Sequence, residues 1–277
     1  MRAAEPLRAA AGAFVREFWW FGLKQAWACL FGGLMLALIL ATHYVYPEDA
    51  ALTRYDFLFL SALAIQALLL TLKLETWEEA RVIFLFHVVG TAMELFKTYA
   101  GSWIYPEEAF FRIAGVPLFS GFMYSAVGSY LARVWRIFDF RFTGYPPVWA
   151  TSGLAVAAYV NFFSHHYIFD FRYVLIAGTL LLYGPTMVYY RPKRMRLAMP
   201  LPIGFGLVAL FIWFAENIGT FAGAWMYPEQ VNGWAVVSAS KLGSWYLLMI
   251  LSFVMVTWVQ RPRAESVPLT SARVAQG

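Results

Sequence analysis

Long apolar stretches separated by short polar or charged intervals set the rhythm of this chain. Runs without a single charge extend from Ile113 to Ala132 and from Tyr173 to Tyr190. Each is close to the about 20 residues that a helix needs to cross about 30 Å of hydrocarbon. The rhythm predicts spans at 26–43, 56–72, 81–98, 113–132, 147–164, 173–190, 199–224 and 233–259. The expected fold class is therefore all-α integral membrane, with about eight transmembrane helices. Ahead of the first span, Phe14 to Lys24 mixes Phe, Trp and Leu with Arg16, Glu17 and Lys24, which suits a short helix lying in the interface. The polar tail after Arg261 is expected to be disordered.

Composition sharpens this reading. Of 277 residues, 61% are hydrophobic and 13% charged, half the charged share of an ordinary soluble domain. The 12 Trp and 16 Tyr suit the two membrane interfaces, where one edge of a ring is wet. Cys29 is the single cysteine, so an internal disulfide and a zinc ribbon are both excluded. The net charge of +5 does not point to nucleic acid, because the basic residues sit in loops beside apolar spans. With the N-terminus inside, all of the 21 basic residues except Arg54, Lys97, Arg112, Arg172 and Lys241 fall on the cytoplasmic side. The positive-inside rule thus predicts both termini cytoplasmic and an even number of spans.

An internal duplication is visible within the chain. Glu94, Thr98, Ala100, Gly101, Trp103, Tyr105, Pro106 and Glu107 recur at one constant offset as Glu216, Thr220, Ala222, Gly223, Trp225, Tyr227, Pro228 and Glu229. The shared pattern is E-x3-T-Y/F-A-G-x-W-x-Y-P-E. Earlier in each half, His43, Tyr44, Arg54 and Tyr55 answer His166, Tyr167, Arg172 and Tyr173; later, Ser125, Gly128, Ser129 and Tyr130 answer Ser240, Gly243, Ser244 and Trp245. Four spans per copy give both copies the same orientation, as parallel repeats about a pseudo-twofold axis along the membrane normal. The expected organisation is an N-terminal segment at 1–25, repeats at 26–140 and 141–260, and a tail at 261–277.

In that topology Glu94 and Glu216 lie inside the bilayer, where an ionised carboxylate costs about 2.5 to 3.5 kcal/mol and demands a partner, a proton or a water-filled cavity. Lys97, one turn from Glu94, and Lys241, on the eighth span near the expected depth of Glu216, are the expected partners. The pairs are read either as packing ion pairs or as a catalytic acid and base with tuning lysines. His87 shares the face of Glu94 with Thr91 and Thr98. His43 and His166 occupy matching outer ends of spans one and five, and the second copy adds Asn161, His165 and Asp170 beside Arg172. If His43, His166, Glu94 and Glu216 converged they would offer a metal-ligand set, but neither H-E-x-x-H nor E-x-x-H spacing is present and no cofactor is assigned. Lipid headgroups are the other partner such interfacial side chains would take. Trp103, Tyr105, Trp225 and Tyr227 are read either as an aromatic belt or as the lining of a pocket for an apolar chain.

The paired E-x3-T blocks, the Phe21 to Gly33 segment and the Asn161 to Arg172 stretch resemble the YoaT-like family of bacterial integral membrane proteins, a likeness that covers nearly the whole chain. It implies architecture and no assigned activity. Glu216, Gly219, Gly223, Trp225 and Tyr227, with Gly115, Val116 and Pro117, also resemble the E-x2-G-x3-G and G-V-P patterns of membrane carotenoid hydratases and lycopene cyclases. That resemblance implies protonation of an isoprenoid double bond by membrane-embedded acids. The functional expectation is an enzyme acting on a lipid or isoprenoid at the outer leaflet, with Glu94 and Glu216 as general acid and base. A small-solute transporter built from parallel repeats and a structural or assembly protein are the alternatives. Inner halves such as Leu58 to Leu72 are almost wholly apolar, which disfavours a through-path.

Overall fold

A computed structural model describes residues 4–265, with side chains from residue 12 onward. The expected tail beyond residue 265 lies outside the described residues. Nine α-helices are described: α1 (Ala4–Ala28), α2 (Leu30–Val45), α3 (Arg54–Thr71), α4 (Trp77–Tyr99), α5 (Phe119–Ile137), α6 (Val148–Ser164), α7 (Arg172–Tyr183), α8 (Leu201–Phe221) and α9 (Lys241–Val259). Helices α3, α4, α8 and α9 are long and apolar enough to cross a membrane, and α1 and α2 form a fifth candidate bent by 68° at Cys29. The chain is thus a mostly helical, multi-pass membrane protein, as the apolar rhythm requires.

Three of the expected spans are corrected. Residues 112–117 are not helical: Arg112–Ile113 (β1) pairs antiparallel with Val116–Pro117 (β2), turning at Ala114 and Gly115, both with positive φ, so α5 begins only at Phe119. The uncharged run to Tyr190 does not make one span. Helix α7 has 12 residues and stops at Gly184, ahead of Pro185, which cannot supply a helical N–H. Met187–Tyr190 (β4) then pairs with Leu197–Pro200 (β5) and with Arg141–Thr143 (β3), a small sheet that an all-α reading did not contain. The eighth expected span begins at Lys241 rather than at 233.

Within the bundle α2 packs on α3 and α5 while α4 lies along α5; likewise α6 packs on α7 and α9 while α8 lies along α9. Helices α5 and α9 also meet. Small residues set the α4–α5 approach: a Cβ on Gly90 would stand 2.6 Å from that of Tyr124, and one on Gly128 would stand 2.7 Å from the ring of Phe86. Lipid offers no hydrophobic drive between helices, so such close packing supplies the attraction. Phe84, Leu181 and Phe211 stay exposed on the outer faces of the bundle.

At the sheet end of the bundle, α1 docks on the β4–β5 hairpin. The Glu17 carboxylate accepts the backbone N–H groups of Lys193 and Arg194, and Lys24 donates to the carbonyls of Ile137 and Arg191. Arg133, which the charge pattern assigns to a cytoplasmic segment, is fully buried there. Its guanidinium lies 2.6 Å from Glu75, and Ser129 donates to the same carboxylate oxygen.

Candidate functional site

The site is built at the opposite end, where α4 and α8 terminate. Both helices stop in the same way. Ser102 N–H returns to Lys97 O and Gly101 N–H to Thr98 O; Ala224 N–H returns to Gly219 O and Gly223 N–H to Thr220 O. These are Schellman caps, and they explain the A-G of each block: Gly101 and Gly223 take φ near +70°, which a side chain resists. The chain leaves each cap extended, so Trp103-Ile104-Tyr105 and Trp225-Met226-Tyr227 run across the bundle. They meet at their central residues, with Ile104 N–H donating to Met226 O at 2.9 Å and Met226 N–H to Ile104 O at 3.0 Å.

Each segment turns its tyrosine back onto the buried acid of its own helix. The Glu94 carboxylate accepts Tyr105 Oη at 2.5 Å and Trp103 Nε1 at 2.7 Å. Glu216 accepts Tyr227 Oη and, at 2.5 Å, Trp245 Nε1 from α9. Trp225 packs over Gly219 instead of reaching its glutamate. The ring of Trp103 meets that of Tyr227 edge to face at 6.2 Å, so the two acid sites touch through their own donors. Burial, and then the nearby carboxylates, hold the Tyr105 and Tyr227 hydroxyls well above the usual phenol range, so both remain donors.

The expected lysine partnerships do not form. Among the described residues neither Glu94 nor Glu216 is ion-paired. Lys97, buried, directs Nζ across to His166 Nε2 at 2.8 Å and His165 Nε2 at 3.4 Å, and its ammonium lies over the Phe162 ring. Lys241 places its ammonium 4.2 Å from the centre of the Tyr227 ring, on the residue that donates to Glu216. An ammonium has no lone pair to offer, so His166 accepts through Nε2 and its imidazole is neutral. Desolvation, then Lys97, holds His166 down to about 4.

Asp170 and Arg172 form a further unit. Asp170 accepts Asn161 Nδ2 and the Arg172 N–H, and pairs with the Arg172 guanidinium at 3.1 Å. Burial would raise the Asp170 pKa, but these hydrogen bonds and the guanidinium outweigh it and lower it. Arg54, the counterpart of Arg172, behaves differently: it ion-pairs with Glu107 and donates to Ala222 O at 2.8 Å, holding the C-terminal end of α8. His43 stays exposed against Tyr44 and Phe221 and does not join His166 and the glutamates. No three His, Cys, Asp or Glu side chains are grouped to hold a metal among the described residues, so the four-ligand convergence is not formed. His87 and Thr91 pack against Gly121, away from the two acids' donors.

Two crevices open beside these groups. The first, with a cavity volume of ≈ 20 Å³, is apolar and is lined by Gly90, Met93, Tyr124, Trp245, Leu248 and Met255. The second, also with a cavity volume of ≈ 20 Å³, is lined by Asn161, His165, Arg172 and Ser244 and by Leu247 and Leu251 of α9. The sequence does not single out Tyr124, and it marks Trp245 only as the repeat counterpart of Tyr130, not as a donor to Glu216. Trp245 stands one turn beyond Lys241 on α9, which places both on one helical face and is the signal that could have found it.

The helices and the buried site define a multi-pass membrane protein with an acid-bearing polar centre. Residues 17–253 match the family described as "Protein of unknown function (DUF817)", and the chain belongs to that family. It is 41% identical over 252 residues to "Uncharacterized protein YoaT" of Bacillus subtilis (strain 168), covering 91% of this chain and 95% of that protein. Among solved structures it is similar to a mycobacterial Insig homolog, MvINS from Mycobacterium vanbaalenii, with TM-score 0.50 and 12% identity over 68% of this chain and 98% of that one. A cross-linked MvINS trimer gives TM-score 0.49 and 11% identity over the same shares. At such identity the likeness speaks to fold alone.

Proposed function

We propose that this protein is a membrane-embedded enzyme that performs acid–base chemistry on a lipid or isoprenoid, with Glu94 and Glu216 as the exchanging acid and base. The observation that carries the reading is a pair of buried carboxyl groups held by neutral donors, with an apolar crevice beside one of those donors. Trp245, which lines that crevice, donates to Glu216. Neutral donors fix the orientation of both carboxyls while leaving them free to give or take a proton, which a lysine ion pair would prevent. The apolar lining suits a hydrocarbon ligand and offers a hydrated solute little.

The architecture belongs to the same proposal. Eight spans in two parallel four-helix repeats, related by a pseudo-twofold along the membrane normal, would account for the repeated Schellman caps. They would also account for the matched helix packing and for an Ile104–Met226 bridge that joins equivalent positions. Such repeats would place the site toward the non-cytoplasmic face of a bacterial inner membrane, with both termini inside. Helices α6 and α7, at 17 and 12 residues, would then need the site's end of the bilayer to be thin or shared with protein.

Lipid profiles of a deletion strain complemented with wild type, Glu94→Gln or Glu216→Gln test the chemistry. Equal membrane levels of the three proteins, with both variants leaving the lipid pattern of the deletion strain, are expected. Restoration of the wild-type pattern by either variant removes the acid–base role of that residue.

A further inference from the structure

Lys97, His165, His166, Arg172 and Lys241 come from four elements, α4, the end of α6, α7 and α9, yet they gather at one place. Lys97 contacts both histidines directly, and the Arg172 guanidinium donates to Ser240 O, the residue before Lys241. The acids that face the group are Asp170, Glu216 and Glu229. Only Asp170 is ion-paired, and its partner is Arg172. Lys97 is 4% exposed, and among the described residues neither its ammonium nor that of Lys241 has a carboxylate within ion-pair distance. Drawing ammonium groups from water without a counter-ion is unfavourable, and an anion bound among them would supply the missing charge.

We infer that this cluster binds a phosphate group, and that the phosphate heads an apolar chain. This rests on the lipid reading above and names the class of ligand. Charge selects the head: the about −1.5 to −2 of a phosphate monoester would hold both Lys97 and Lys241 in their ammonium form, where a carboxylate would serve one. Donor geometry agrees, since Lys97, Lys241, Arg172 and a histidine N–H supply donors from several directions to a group with three acceptor oxygens. The chain is selected by the crevice that begins at His165 and Arg172 and continues along Leu247 and Leu251. Leu248 and Leu251 line both crevices, so a tail entering here lies against the same face of α9 that borders the acid site.

Dodecyl phosphate, inorganic phosphate and the neutral dodecyl maltoside are the probes, titrated against the full-length protein in detergent with thermal unfolding as the readout. Dodecyl phosphate is expected to give a saturable upward shift that the maltoside does not. Lys97→Met and Lys241→Met are each expected to weaken it about tenfold, the loss of one charged hydrogen bond. Lys97→Arg should retain most of the binding. Without ligand, Lys97→Met is expected to unfold no earlier than wild type, because it removes an unmatched charge, and this keeps a folding defect distinguishable from a binding defect. Saturation by inorganic phosphate at equal affinity keeps the anion site and overturns the apolar chain. Equal shifts in wild type and both methionine variants, or no saturable shift at all, overturn the site. Glu94→Gln and Glu216→Gln are expected to bind dodecyl phosphate normally, so failure of the acid–base reading leaves this result standing.

Discussion

Glu94 and Glu216 occupy equivalent places in two similar stretches of sequence, yet their donors differ in origin. Trp103 serves the first from the extended segment, while Trp245 serves the second from α9 because Trp225 has settled on Gly219. The sequence singled out both acids and both tyrosines but set them at different depths; the glycine cap turns the chain so that a tyrosine eleven residues on comes back to its own glutamate. It misassigned the lysines. Lys97 stands three residues beyond Glu94, about 60° further round the helix, and its long stem follows that direction to α6. No local spacing could reveal that His165 and His166 wait there. The contact has a pH consequence. His166 binds its proton at about 4 when folded and nearer 6.5 when exposed in the unfolded chain, so the unfolded state binds more protons between those values. Stability is accordingly full above about 6.5 and declines as pH falls toward 4. A thermal unfolding series over that window should show the decline in wild type and a shallower one in His166→Gln; parallel curves would show that His166 is not the group responsible.

At the scale of elements, hydrophobic rhythm located most helices to within a few residues, and it failed where backbone chemistry overrides apolarity. Residues 173–190 are uniformly apolar, but Gly184 and Pro185 end α7 and hand the remainder to β4. Residues 113–117 are likewise uncharged and turn through two positive-φ residues. The buried pair between Glu75, in the α3–α4 turn, and Arg133, in α5, was hidden for a different reason: a basic residue near a span end reads as a topology signal. Both side chains are fully buried, with Gln66 and Ser129 also on the Glu75 carboxylate. Arg133→Met alone leaves that carboxylate without its cation and is expected to cost about 3–5 kcal/mol of stability. The double change Glu75→Leu with Arg133→Met should recover most of it, and reversible unfolding measurements on the two proteins check this. A double variant as unstable as the single one would mean that the pair acts through shape rather than charge.

For the whole molecule, the central matter is whether the two halves meet through their W-x-Y segments, because that meeting sets both acids beside one another's donors. Ile104 and Met226 exchange backbone hydrogen bonds in an antiparallel bridge. Opposed residues in such a pair lie about 5.5 Å apart at Cα, within the range a disulfide spans. The most direct measurement is therefore oxidation of Ile104→Cys with Met226→Cys in a Cys29→Ser background, in native membranes, followed by peptide mapping. The account predicts that the peptides carrying positions 104 and 226 are joined by a disulfide in nearly every molecule and are released on reduction. Two thiols that stay separate and are alkylated independently in the folded protein would contradict it.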